Sequence, residues 1–141
     1  MMLFVLSLQA NDIIVKKSHC SFDQTVENIK NILAAKGLGV FAIINHSGNA
    51  KAVGMNLNDS KMIVFGNPKL GTALMQQDMS VGLDLPLRIL VYRDGDGSVK
   101  MAYRDGSWIA NHHILNAKEK IEKINSGLDK ITMKAGQCKQ D

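Results

Sequence analysis

The chain has 141 residues, of which 45% are apolar and 21% charged. That balance excludes global disorder, and the length suits one ordinary globular domain that can bury its own core. The net charge of +4 comes from Lys and Arg scattered along the chain, which argues against a nucleic-acid-binding stripe.

Residues 1–10 carry no charge and include Leu3, Phe4, Val5, Leu6 and Leu8. The stretch is too short to cross a bilayer, so no membrane span is expected. It is similar to the apolar core of a secretory signal that lacks its basic leader. The expectation is a truncated signal peptide or an apolar arm over residues 1–10, then a single α+β domain over residues 11–141. The first reading places the protein in the periplasm or outside the cell, the second in the cytoplasm. Cys20 and Cys138 fit either one. Paired in an oxidising compartment, they would close a very long loop and stabilise by roughly 4–5 kcal/mol. In the cytosol they would remain thiols. No CxxC or zinc-like spacing is present.

Residues 12–18 alternate and are β-branched, which predicts a first strand. Ser21 and Gln24 form a capping box. Phe22, Val26, Ile29 and Leu33 then share one helical face, and Gly37 is a C-cap. Residues 38–46 predict a second strand, with Val40, Ala42, Ile44 and His46 on one face and Phe41, Ile43 and Asn45 on the other. Residues 49–53 predict one helical turn closed by Gly54. Residues 61–66 predict a short buried strand. Asn67-Pro68 supplies an N-cap and an N1 proline for a helix reaching about Met79, broken near Gly71.

Asp94-Gly95, between alternating runs at 86–93 and 98–103, predicts a hairpin. Ser107 is expected to cap a helix with Trp108, Ile109 and His112 facing inward. A last helix over 116–128 buries Ile121, Ile124 and Leu128. Its Lys118, Lys120 and Lys123 alternate with Glu119 and Glu122 as a solvated face. From Thr132 the chain is expected to fray. The order β-α-β-β-β-β-α predicts an α+β fold, an antiparallel sheet with helices covering one face.

Phe65-Gly66-Asn67-Pro68-Lys69-Leu70-Gly71-Thr72-Ala73-Leu74-Met75 resembles the signature block of the domain-of-unknown-function 302 family. Gly82-Leu83-Asp84-Leu85-Pro86-Leu87 is similar to that family's second block. Val40-Phe41-Ala42-Ile43-Ile44-Asn45-His46 resembles its strand ending in Asp-His or Asn-His. The resemblance covers residues 21–115 and implies a TATA-binding-protein-like fold, usually dimeric, with no established activity. Ala73 stands where the family commonly has Pro. Asn45 stands where Asp is common, which removes a carboxylate beside His46.

The candidate ligand-binding residues are His46, Asn67, Lys69, Thr72 and Met75. A helix start at Asn67 offers backbone N–H groups to an anion, with Lys69 adding charge and Thr72 a hydroxyl. The plainer reading is a helix cap with a solvated lysine. His46 ends an apolar strand face and serves either as a structural histidine or as the polar wall of a pocket floored by Met75. Met75 and Met79, four apart, would with His46 suit copper or haem in an exported protein; such a stripe is more commonly core. His112 and His113 diverge by about 100° on a helix and do not share one metal. Asp94-Gly95-Asp96-Gly97-Ser98 starts like a calcium loop but lacks the closing Glu.

No GxSxG elbow or catalytic-cysteine context occurs, although Cys20 precedes a helix start. The reading is a small non-catalytic binding or accessory protein for a small molecule or anion, with its cofactor unknown. A homodimer is expected because the strands are apolar on both faces. The alternatives are an enzyme with an unrecognised site and an exported metal- or haem-binding protein using His46 and Met75; nucleic-acid binding, by analogy with the fold's namesake, rests on fold alone and lacks a basic stripe.

Overall fold

The computed structural model describes residues 13–139; the apolar stretch at 1–10 lies outside them. Five strands and five α-helices alternate as β1 (Ile14–Ser18), α1 (Phe22–Ala35), β2 (Gly39–Asn45), α2 (His46–Ala52), β3 (Ser60–Gly66), α3 (Pro68–Gln77), a 3-10 turn (Met79–Leu83), β4 (Leu87–Arg93), β5 (Val99–Tyr103), α4 (Gly106–His112) and α5 (Lys118–Ala135). All strands are antiparallel, in the spatial order β1-β5-β4-β3-β2. The expected α+β class and strand count therefore hold.

Local chemistry accounts for the main boundaries. Ser21 accepts the Gln24 N–H at 3.1 Å and starts α1. Gly37, at φ +69°, turns the chain out of it, a conformation that glycine enters without a Cβ penalty. In the β4–β5 hairpin, Gly97 at φ +86° plays the same part.

Among the described residues, the helices cover one face of the sheet. Ile63, Phe65, Ile89, Val91, Val99, Met101 and Tyr103 are buried beneath the helices. α1 contributes Phe22, Val26, Ile29 and Leu33; α5 contributes Ile124, Leu128, Ile131 and Ala135 at helical spacing. Cys20 and Cys138 are joined in a disulfide with Cα atoms 5.1 Å apart. This bond ties the chain after α5 to the β1–α1 junction, where His19 N–H also donates to Gly136 O at 2.8 Å.

Several expectations need correction. β2 does not alternate strictly: Val40 lies opposite Phe65 and Ala42 opposite Val64, so Phe41 is the extra residue of a β-bulge. Val40 consequently shares the covered face with Ile43, while Ala42 and Ile44 face the other way. α2 begins at His46, capped by Asn45, rather than at residue 49. α3 runs unbroken through Gly71 and ends at Gln77. Asp105, not Ser107, caps α4, accepting from Ser107 and Trp108 N–H. His112 is exposed and stacks on Trp108 with ring centroids 4.2 Å apart. α5 starts at Lys118 and continues to Ala135 with Thr132 fully buried; the hydroxyl of Thr132 donates to Leu128 O at 2.8 Å, which makes a polar residue compatible with the core.

Candidate ligand-binding site

Asn67 follows the last residue of β3, and its side chain accepts from Lys69 N–H at 3.0 Å and Leu70 N–H at 3.4 Å. Pro68 has no N–H, and Gly71 N–H donates to Asn67 O at 2.9 Å. The first-turn donors that an anion would use are already engaged. Behind this cap lies a cavity of about 300 Å³ between α3, the start of β4, and Phe41 of the β2 bulge. Leu70, Met75, Leu85, Pro86 and Leu87 are among its apolar lining, and Asn67 and Thr72 are its polar side chains.

Two glycines shape this space. A Cβ on Gly71 would meet only Leu85 Cδ1, at 3.5 Å; a Cβ on Gly82 would stand 3.0 Å from Met75 Sδ. Gly71 thus leaves the cavity open, and Gly82 lets Met75 lie close against the 3-10 turn.

Of the candidate residues, Asn67, Thr72 and Met75 come together at this cavity. Lys69 is exposed and is not among the lining residues. His46 lies elsewhere. β2 and β3 are antiparallel, with Gly39 opposite Gly66 and Asn45 opposite Lys61. His46 therefore adjoins the start of β3 while Asn67 follows its end, about 20 Å away at some 3.3 Å per residue. A shared rim for the two does not form. His46 is not among the residues lining the cavity that holds Met75, and Met79 sits beyond the end of α3, 78% exposed. Among the described residues no group of three or more His, Cys, Asp or Glu is placed to hold a metal.

A second polar cluster went unforeseen. His113, just past α4, places Nε2 2.5 Å from Asp84 Oδ2 and Nδ1 2.8 Å from Ser80 Oγ. Ser80 Oγ also donates to Asp78 Oδ1 at 2.7 Å, and Asp78 Oδ2 accepts Ile114 N–H at 2.9 Å. The Ser80 hydroxyl, followed by the Ile114 N–H, holds the Asp78 carboxyl below the usual carboxylate range. A Ser-His-Asp contact invites comparison with a nucleophile and its base. Here the Ser80 hydroxyl also bonds the Asp78 carboxylate, and the direction of its contact with the ring follows the His113 tautomer. The cluster works as a clamp between the 3-10 turn and the end of α4. Its partners across the clamp are 29 to 36 residues apart in sequence, and no local pattern signals their meeting.

The family described as a domain of unknown function, DUF302, matches residues 14–131. The chain is 34% identical over 115 residues to a protein named fluoride-specific ion channel FluC 1 of Brucella suis, covering 82% of this chain and 45% of that one. It is 34% identical over the same length to fluoride-specific ion channel FluC 2 of Brucella melitensis, covering 43% of it. The chain thus spans less than half the length of these relatives. In fold it is similar to the crystal structure of an uncharacterised conserved DUF302 protein from Bacillus stearothermophilus, with a TM-score of 0.71 at 17% identity over 90% of this chain and 97% of that one.

Proposed function

The chain belongs to the DUF302 family, and from that footing we propose that it is a non-catalytic accessory domain that binds a small, largely apolar ligand beside α3. The observation that carries this reading is the cavity of about 300 Å³ walled by Leu70, Met75, Leu85 and Pro86. Its size and lining fit a small-molecule pocket, with Asn67 and Thr72 as the few polar groups that would orient a ligand. An anion is less well served, because Asn67 already takes the first-turn N–H groups and Lys69 is not in the wall. The relatives named as fluoride channels favour an accessory role. No helix among the described residues is long and apolar enough to cross a membrane, so the domain is read as a companion to such a function rather than its pore. Native mass spectrometry of protein purified from its own host tests the proposal. A retained small molecule is expected, and Gly71→Leu, which fills the cavity, should lose it. Absence of bound mass in the wild type, or equal retention by the variant, would overturn the reading.

Two further properties go with it. The Cys20–Cys138 disulfide favours an oxidising compartment such as the periplasm. The edge strand β2, GVFAIIN, has no charge and no proline, and Phe41 on it is 53% exposed. The opposite edge, β1, carries Lys16 and Lys17. Unprotected edges recruit another strand, so β2 pairing with β2 of a second copy would make a homodimer with one continuous sheet.

A further inference from the structure

At the end of the sheet beside Trp108, separated from the α3 cavity by Leu87, which lines both, we propose a second site that takes a small carboxylate carried on an aromatic or branched apolar body. The site is a cleft of about 190 Å³. Its floor is Met62, Leu90 and Ala102, a row set by the register, in which Met62 lies opposite Leu90 and Leu90 opposite Ala102. Trp108 forms one wall, and Arg88 and Arg104 line the same cleft.

The two arginines are the telling feature. Arg88 lies two residues before Leu90 and Arg104 two residues after Ala102, so both stand beyond the last pair of the β4–β5 ladder and line the same cleft. Like charges brought to one cleft repel. Among the described residues neither guanidinium forms an ion pair, whereas Arg93, Lys16 and Lys100 each meet an aspartate. Arg104 instead lies over the Trp108 ring, 5.0 Å from its centroid, and His112 stacks on that ring. The fork of Arg104 is therefore held in place over the cleft. Asp84 is the carboxylate among the lining residues, and its Oδ2 is turned to His113. Among the described residues the charge left uncompensated is cationic.

An anion between the two guanidiniums would relieve their repulsion and accept paired N–H donors from a planar fork. The apolar floor asks that the rest of the ligand be hydrophobic, and the volume limits its size. An apolar cavity of roughly 150 Å³ accepts benzene, so this cleft admits one ring with its carboxylate at the arginines.

Benzoate is the probe. Titration of the ¹⁵N-labelled protein should give saturable shifts at the Trp108 indole N–H and at the Leu90 and Ala102 amides. Benzamide, the neutral counterpart, should bind at least about ten-fold more weakly, as should benzoate to Arg88→Gln or Arg104→Gln, the loss expected for one charge-assisted contact. Both side chains are exposed, and circular dichroism of each variant verifies its fold; Arg88→Lys, which keeps the charge and loses the fork, should fall in between. Equal binding of benzamide and benzoate, no saturable shift at millimolar benzoate, or tighter binding of inorganic phosphate at these same residues would each overturn the assignment.

Discussion

Reducing the Cys20–Cys138 bond should cost this protein a large part of its stability. The two cysteines are 118 residues apart, so the bond closes nearly the whole described chain into one loop. The chain-entropy relation gives about 16 cal/mol/K for such a loop, or about 5 kcal/mol at 25 °C, acting on the unfolded state. The folded state should change little. Asn28 Nδ2 donates to Ala135 O at 3.0 Å and His19 N–H to Gly136 O at 2.8 Å, and these contacts hold the end of α5 at the β1–α1 junction without the bond. Urea unfolding of oxidised protein, of reduced protein and of the Cys20→Ser/Cys138→Ser double variant, followed by far-UV circular dichroism, measures the difference. With a slope of about 1.5–2 kcal/mol/M, the midpoint should fall by about 2.5–3.5 M. The reduced protein and the double variant should agree to about 1 kcal/mol. A loss below about 1.5 kcal/mol would refute the entropic reasoning, and two free thiols in denatured, unreduced protein would refute the pairing itself.

Asn67→Ala should cost about 1 kcal/mol in the same assay, because it frees the Lys69 and Leu70 N–H groups that the side chain now caps. Gly106→Ala should cost about 1–3 kcal/mol, since its Cβ would stand 2.8 Å from the Ile121 carbonyl oxygen, backbone that cannot swing aside where α4 meets α5. Asp78, Asp94 and Asp96 are held below the usual carboxylate range chiefly by hydrogen bonds from Ser80, Lys100 and Ser98 respectively. They contribute stability above the unfolded carboxylate value of about 3.9 and lose it as pH falls through their lower folded values; urea midpoints should therefore drop below about pH 4, and Asp78→Asn should flatten that slope. Light scattering at micromolar concentration should show a dimer, and Ala42→Lys, which opposes two ammonium groups at the middle of a β2–β2 pair, should give monomer; a dimer that survives Ala42→Lys would refute pairing through this edge.

The fold was largely legible where one residue type does one local job. The Ser21 cap, the Asn67-Pro68 helix start and the Asp-Gly hairpin all stand where the sequence puts them. What the sequence hides is spatial. The Phe41 bulge needs only an extra residue opposite β3, and no composition marks it. Gly71 reads as a helix breaker because glycine costs up to about 1 kcal/mol in a helix interior. In the structure, α3 packs beside Leu85 and keeps the glycine for its missing side chain. Thr132 reads as fraying because a polar residue with no visible partner belongs outside; its partner is the carbonyl one turn back.

The candidate residues fall in two places for a topological reason. His46 and Asn67 each adjoin strands that do pair, but an antiparallel neighbour brings the end of β2 to the start of β3, so a strand-terminal histidine cannot reach the loop after the next strand. The residues that do converge are those of the two blocks that resemble the family signature. Residues 66–75 and 82–87 are joined by a short 3-10 turn, and this connection folds the second block back over the first. Their shared feature is shape rather than charge. Gly71 leaves the space beside Leu85 empty, Gly82 admits Met75, Pro86 closes the wall, and the charged member of the first block, Lys69, stays outside. A motif built in this way specifies a cavity before it specifies a reaction, and the proposed binding role rests on that shape.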